Sequence, residues 1–177
     1  MGGCAAPFPR SMNADQTRPE AFRLLFVCSG NTCRSPMAEA IARRAAAERG
    51  WHHFEVRSAG TGALAGSPAS RGARAASGRH GLSLDAHRAS PLTREAVAWA
   101  DLVLTMSPGH LIRALELGAG DKASLLTAFA AADDPEGIPD SVTDPFGGSD
   151  QEYEDTFVLL ERLIARTLHR LEIIVAP

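Results

Sequence analysis

Long apolar runs are missing from this sequence: no stretch approaches the roughly 18 consecutive apolar residues that a membrane-spanning helix needs. No membrane partner is therefore expected. Cysteine is scarce as well, with only Cys4, Cys28 and Cys33. So small and odd a number excludes a disulfide framework. With no continuous apolar leader in residues 1–20, the expected setting is the reducing cytoplasm. Metal-site spacing is also lacking. Cys28 and Cys33 form no Cys-x-x-Cys pair, and the six histidines are scattered apart from His52-His53. No metal and no other cofactor is expected. Nor is there an excess of basic charge: 18 Lys and Arg stand against 21 Asp and Glu, a net charge of −3. A general nucleic-acid binder, which carries a clustered basic surface, is excluded as an expectation.

What is present is ordinary for a globular protein, with 45% hydrophobic and 22% charged residues in a 177-residue chain. Residues 1–20 mix Gly, Pro, Ser, Asn and charges without periodicity and read as a flexible extension. The start Met1-Gly2-Gly3-Cys4 has Ala6 where an acylation signal prefers Ser or Thr. Residues 21–177 are expected to form one domain.

Within that domain, strand and helix signals alternate. Residues 22–27 form an apolar run of strand formers. Ser35 is an expected N-cap, with Pro36 at the first helical position, Glu39 in the first turn and Met37, Ala40, Ile41 and Ala45 at helical spacing. A second strand is expected at 54–58, a helix at 68–80 and a third strand at 101–106. A helix opens at Ser107-Pro108, and a short fourth strand is expected at 123–126. The last helix spans 151–171, where Tyr153, Phe157, Leu160, Leu163, Ile164 and Leu168 share one face. Such alternation predicts an α/β fold: a four-stranded parallel sheet with helices on both faces, doubly wound and flavodoxin-like. Ligands in such folds bind beyond the carboxyl ends of the strands. The loop after the first strand is the first place to look.

That loop is Cys28-Ser29-Gly30-Asn31-Thr32-Cys33-Arg34-Ser35. Its amides and the helix N-terminus behind it present N–H groups suited to an anion. Gly30 and Asn31 tolerate the backbone angles that curl a loop. Arg34 offers a planar fork of donors matched to two phosphate oxygens. The same dipoles and Arg34 stabilise a thiolate at Cys28. A thiolate at the base of an anion cradle is suited to attacking phosphorus. Covalent attack also requires an acid for the leaving group. Asp144, in Thr143-Asp144-Pro145-Phe146-Gly147-Gly148, is the first candidate, although a bare Asp-Pro pair is also simply a turn. Asp133, Asp134, Asp140 and Asp150 are nearby alternatives.

Taken together, these segments resemble the low-molecular-weight protein phosphatases. The match includes Val27-Cys28-Ser29-Gly30-Asn31-Thr32-Cys33-Arg34-Ser35-Pro36-Met37-Ala38-Glu39. It continues through Ser58-Ala59-Gly60-Thr61, His87-Arg88, Ala100 to Met106 and Asp144-Pro145-Phe146, in the family's order. The resemblance implies that Cys28 attacks the phosphoryl group and forms a phosphocysteine. It implies that Arg34 and the amides of Ser29, Gly30, Asn31, Thr32, Cys33 and Arg34 hold the phosphate oxygens. Asp144 would act as acid and then base, Ser35 would bond the Cys28 thiolate, and Asn31, Ser58 and His87 would lock the loop.

The family includes tyrosine phosphatases and an arginine-directed branch. Thr32 and Phe146 resemble the arginine branch. So does the loop running from Thr61 through Leu64, which offers no Trp or Tyr to stack on a phenol. Thr32, Leu64 and Phe146 are therefore the expected specificity residues. A phosphorylated protein, phosphoarginine ahead of phosphotyrosine, is the expected substrate, and the expected state is a monomer or weak homodimer.

Two rivals remain beside this reading, and one residue keeps two readings. Arsenate reduction needs further redox cysteines, and none follows Cys33. A phosphoryl carrier would not need Asp144. Cys33 itself is either a packing residue or a partner that shields Cys28 as a reversible disulfide. The face bearing Arg71, Arg74 and Arg79 is expected to be solvated, and Trp51 and Trp99 are expected to pack at helix ends.

Overall fold

The computed structural model describes residues 21–131 and 135–175. The expected extension at 1–20, with Cys4, and two of the alternative acids, Asp133 and Asp134, lie outside the described residues. Four strands, β1 (Phe22–Cys28), β2 (Phe54–Gly60), β3 (Leu102–Thr105) and β4 (Ala123–Leu125), pair in the order β2-β1-β3-β4. All the pairings are parallel. The α/β architecture expected from the alternation is therefore the one observed.

The layers follow from the period of two along β1. Leu24, Phe26 and Cys28 face one core. Leu25 and Val27 face the other. On the first side lie α1 (Arg34–Glu48), α2 (Arg71–Arg79), α5 (Leu126–Ala131) and α6 (Asp150–Val175). On the second lie α3 (Arg94–Trp99) and α4 (Pro108–Glu116). Because β1 is buried on both faces from Leu24 to Cys28, that stretch reads as continuous apolar residues rather than alternating ones.

Several boundaries differ from the sequence expectation. Helix α1 starts at Arg34, with Cys33 in the cap position and no side-chain cap bond. Ser35 is buried inside the first turn, and Glu39 lies beyond that turn. Helix α2 starts at Arg71 rather than at 68, because Ser70 caps it by accepting from the Ala73 amide at 3.2 Å. Helices α3 and α5 were not expected. Each spans six residues, too short for a helical period to show. Helix α6 opens on a capping box: Ser149 N donates to Glu152 Oε2 at 2.7 Å and Glu152 N donates to Ser149 Oγ at 3.3 Å.

The close packing of α2 on α6 depends on Gly72. A Cβ there would lie 2.3 Å from the Tyr153 ring. Arg79 joins the same contact by pairing with Glu154 at 2.6 Å, whereas Arg71 and Arg74 stay exposed as expected. Trp51, after α1, is buried. Trp99 ends α3 under the Arg57 guanidinium, 4.1 Å from its ring centroid. No described helix is long and apolar enough to cross a membrane.

Candidate active site

Strand order reverses around β1, since β2 lies on one side and β3 on the other. The crevice at that switch point is where the Cys28–Ser35 loop sits. Cys28 ends β1 and Ser35 lies in the first turn of α1, so one tight loop joins them. Asn31 makes the bend at φ +53°, the left-handed region that Asn tolerates better than most residues.

The Asn31 side chain spends its capacity on fixing that bend. Its Nδ2 donates to Ser35 Oγ and to Ser58 Oγ, both at 2.8 Å, and its Oδ1 accepts from the Ser90 amide at 2.8 Å. Its carbonyl accepts from His87 Nε2 at 2.7 Å, which sets the proton on that nitrogen. Ser58 accepts from Asn31 and passes its own proton to Glu39 Oε2 at 2.6 Å. Ser35 accepts from Asn31, and its Oγ lies 3.0 Å from Cys28 Sγ, with the Ala59 carbonyl at 3.4 Å as a second acceptor for its hydroxyl proton. Asn31, Ser58, His87 and Ser35 are thus brought together in one network.

Strand β2 presses on the loop from the side. A Cβ at Gly60 would lie 2.5 Å from the Ser29 carbonyl oxygen and 2.8 Å from the Asn31 amide nitrogen. Only glycine allows that approach. Thr61 N and Gly62 N then donate to the carbonyls of Cys28 and Ser29, each at 2.9 Å.

Arg34 is buried, and its guanidinium is divided in use. Nη1 donates to the Val142 carbonyl at 3.1 Å, and Nη2 donates to Ser29 Oγ at 3.3 Å and to Asp144 Oδ2. Nε is buried with no protein partner. An unpaired buried donor costs on the order of 1–3 kcal/mol, and an oxyanion would satisfy it. The uncapped N-terminus of α1 points to the same ligand class: no side chain occupies its first amides.

Asp144 sits on the connection between α5 and α6, 44% exposed. Its Oδ1 accepts from the Phe146 amide at 3.2 Å and its Oδ2 from Arg34. It faces a cavity of about 320 Å³ lined by Cys28, Ser29, Gly30, Thr32, Cys33, Arg34, Thr61, Gly62, Asp144 and Phe146. Cys28, Arg34 and Asp144 therefore share one cavity, with Thr32 and Phe146 in its wall. Leu64 is exposed and does not line it; Thr61 and Gly62 occupy that side, because the chain has already turned outward. Asp140 and Asp150 are not in the lining either. The Cys33 sulfur donates to Ser70 Oγ at 3.2 Å and lies 3.5 Å from the Tyr153 hydroxyl. Burial and the Cys33 bond raise the Tyr153 pKa, so its phenol stays protonated.

His110 was not expected at this site. It lies on α4, buried, with Nε2 2.8 Å from Ser29 Oγ and Nδ1 2.9 Å from Ser107 Oγ. Burial first, and the Arg34 charge second, lower its pKa to about 4 against the opposing effect of Asp144. The imidazole is neutral at physiological pH. The available sequence signal was positional: Ser107-Pro108-Gly109-His110 follows β3, and β3 borders the switch point. Among the described residues no cluster of three or more His, Cys, Asp or Glu could hold a metal ion.

Comparison with known proteins agrees with this geometry. The family model described as low molecular weight phosphotyrosine protein phosphatase matches residues 23–173. A protein-arginine-phosphatase of Geobacillus stearothermophilus is 39% identical over 153 residues, covering 85% of this chain and 97% of the relative. The low molecular weight protein-tyrosine-phosphatase Wzb of Escherichia coli K12 is 36% identical over 139 residues, covering 78% and 88%. A solved structure of a YwlE arginine phosphatase mutant with a phosphorylated active site serine superimposes with a TM-score of 0.76 at 36% identity, covering 85% of this chain and 96% of that one. The chain is an enzyme of the low molecular weight protein phosphatase family.

Proposed function

We propose that this enzyme hydrolyses phosphoarginine in proteins through a phosphocysteine at Cys28. The observation that carries the substrate assignment is the cavity wall: Thr32 places a hydroxyl-bearing side chain beside Cys28 and Arg34, and no Tyr or Trp lines the space where a phenol would stack. The likeness to an arginine phosphatase of Geobacillus stearothermophilus supports the same reading.

In the proposed reaction the phosphoryl group enters over the loop amides. Its oxygens take Arg34 Nε, which has no protein partner, and Nη2, which Asp144 shares in the unliganded enzyme. Nη1 stays on Val142 and keeps the fork oriented. The Cys28 thiolate, held by Ser35, attacks phosphorus, and the P–N bond breaks as Asp144 gives its proton to the bridging nitrogen. The product guanidinium departs beside the Asp144 carboxylate that it can pair with. A water then attacks the phosphocysteine while Asp144 takes its proton. Inorganic phosphate leaves and the thiolate is restored. The phosphorylated serine described for the related arginine phosphatase supports phosphoryl transfer to the nucleophile position.

A second reading is phosphotyrosine hydrolysis. It is favoured by the exposed Phe146 ring at the cavity mouth and by the likeness to Wzb. The Thr32→Ile variant separates the two. Phosphate release from paired phosphoarginine and phosphotyrosine peptides is expected to shift toward phosphotyrosine. An unchanged ratio would remove Thr32 as the determinant.

A further inference from the structure

The loop holds a hydrogen-bonded chain that the cysteine chemistry does not by itself require. It runs from Ser107 Oγ to His110 Nδ1 at 2.9 Å, from His110 Nε2 to Ser29 Oγ at 2.8 Å, and from Ser29 Oγ to Arg34 Nη2 at 3.3 Å. We propose that His110 is a positioning residue of this phosphatase: it fixes the Ser29 hydroxyl and, through it, the Arg34 guanidinium that grips the phosphoryl group. The inference rests on the reading of Arg34 as the phosphate clamp and not on the choice between arginine and tyrosine substrates.

The argument is one of proton inventory. Arg34 can only donate, so Ser29 Oγ accepts from it. Ser29 keeps one proton and one further lone pair, and either satisfies a neutral imidazole nitrogen. An imidazolium would instead donate to Ser29, forcing that oxygen to accept from two cations while its own proton turned away. Burial and the Arg34 charge both oppose that state, and Asp144 acts on the ring in the opposite sense. A neutral histidine therefore orients Ser29 without adding a second positive charge to the cradle.

Geometry explains why Arg34 needs this support. Its Nε has no protein partner, and its Nη2 contact with Asp144 must give way when the phosphoryl group arrives. Val142 and Ser29 are then its remaining protein contacts. Val142 lies on the same connection as Asp144, whereas Ser29 belongs to the cradle itself. The Ser29–His110 link, anchored on α4 across the second core, ties the clamp to an element outside both the nucleophile loop and the acid connection.

The test uses the full chain with p-nitrophenyl phosphate, which reports on the clamp whichever protein substrate is preferred. His110→Ala is expected to lower kcat/KM about ten- to a hundredfold, the range of losing the Ser29–Arg34 bond that His110 holds in place, a hydrogen bond to a charged group. Orthovanadate affinity, measured by calorimetry without turnover, should fall by a similar factor. His110→Gln, which can place an amide group near the Nε2 position, should recover most of both. Ser29→Ala should match His110→Ala, and the double variant should be no worse than either. The proposal is overturned if His110→Ala lowers only the melting temperature and leaves kcat/KM and vanadate affinity at parent values. Losses that add in the double variant overturn it too. If His110→Ala does not fold, unchanged vanadate affinity in Ser29→Ala overturns it alone. A parent enzyme that binds vanadate but shows no Cys28-dependent turnover would instead contradict the phosphatase mechanism, leaving the vanadate comparison valid.

Discussion

The loop from Cys28 to Ser35, proposed to carry the nucleophile, and the connection that carries Asp144, the proposed acid, contribute to the same cavity but are built in opposite ways. Around Cys28, Asn31 alone makes four hydrogen bonds, to Ser35, Ser58, Ser90 and His87, and these partners lie on three segments: α1, β2 and the connection between α2 and α3. Asp144 is 44% exposed and has two contacts, to the Phe146 amide and to Arg34. The difference follows from the chemistry. A cradle gains most when its donors are fixed before charge develops, because no reorganisation is then needed at the moment of reaction. In the proposed mechanism Asp144 exchanges Arg34 for the leaving group and later for water, so a locked carboxylate would be a handicap. Rigidity is concentrated where charge accumulates, and freedom where a proton moves.

That contrast can be broken from either side. The largest expected effect is on activity alone: Asp144→Ala should reduce kcat by about 10²- to 10⁴-fold, the usual contribution of a general acid. Its melting temperature should stay near the parent's, because the side chain is half exposed. A large loss of stability would mean that Asp144 is a structural part of the cradle. Next comes Asn31→Ala, which should affect both quantities. Removing buried donors from Ser35 and Ser58 is expected to cost about 1–3 kcal/mol in urea unfolding, with a parallel loss of kcat/KM. Unchanged activity would show that the loop keeps its curl without Asn31.

Ser149→Ala sharpens the other side. It removes half of the capping box of α6, just beyond the acid connection. About 1 kcal/mol of stability should be lost, with kcat nearly unchanged. A marked fall in kcat would mean that the connection is less independent than its few contacts suggest.

The last effect concerns pH and is absent at neutral pH. His110 has its pKa lowered from 6.5 to about 4 in the folded protein, through burial and then Arg34. Between those values the unfolded chain carries a proton there that the folded chain does not. Stability therefore falls as pH drops from about 6.5 toward 4, and the loss is complete below that. His110→Gln should flatten this part of the pH dependence of the urea midpoint; an identical slope in both proteins would contradict the neutral assignment.

Much of this was legible in the sequence because the nucleophile loop is local. Cys28, Arg34 and the curl at Gly30-Asn31 lie within one short segment, and β1 is apolar from Leu24 to Cys28. Ser35 shows where local rules mislead. Its side chain is ideal for a cap, yet it is turned inward to Cys28, and the helix starts two residues earlier than expected, at Arg34, with its first amides left bare for an anion. His110 and Tyr153 were out of reach for a different reason. Each meets the loop only through the fold, across sequence separations of 81 residues to Ser29 and 120 to Cys33. Leu64 shows the converse: nearness in sequence to Thr61 did not place it in the cavity.

The most direct test of the account is phosphate release from a phosphoarginine peptide and a phosphotyrosine peptide of the same sequence context, with Cys28→Ser as the blank. The account predicts Cys28-dependent release from both or from phosphoarginine alone, with the higher kcat/KM for phosphoarginine. A higher kcat/KM for phosphotyrosine would contradict it, leaving the cradle and the acid in place but assigning the cavity wall to a phenol.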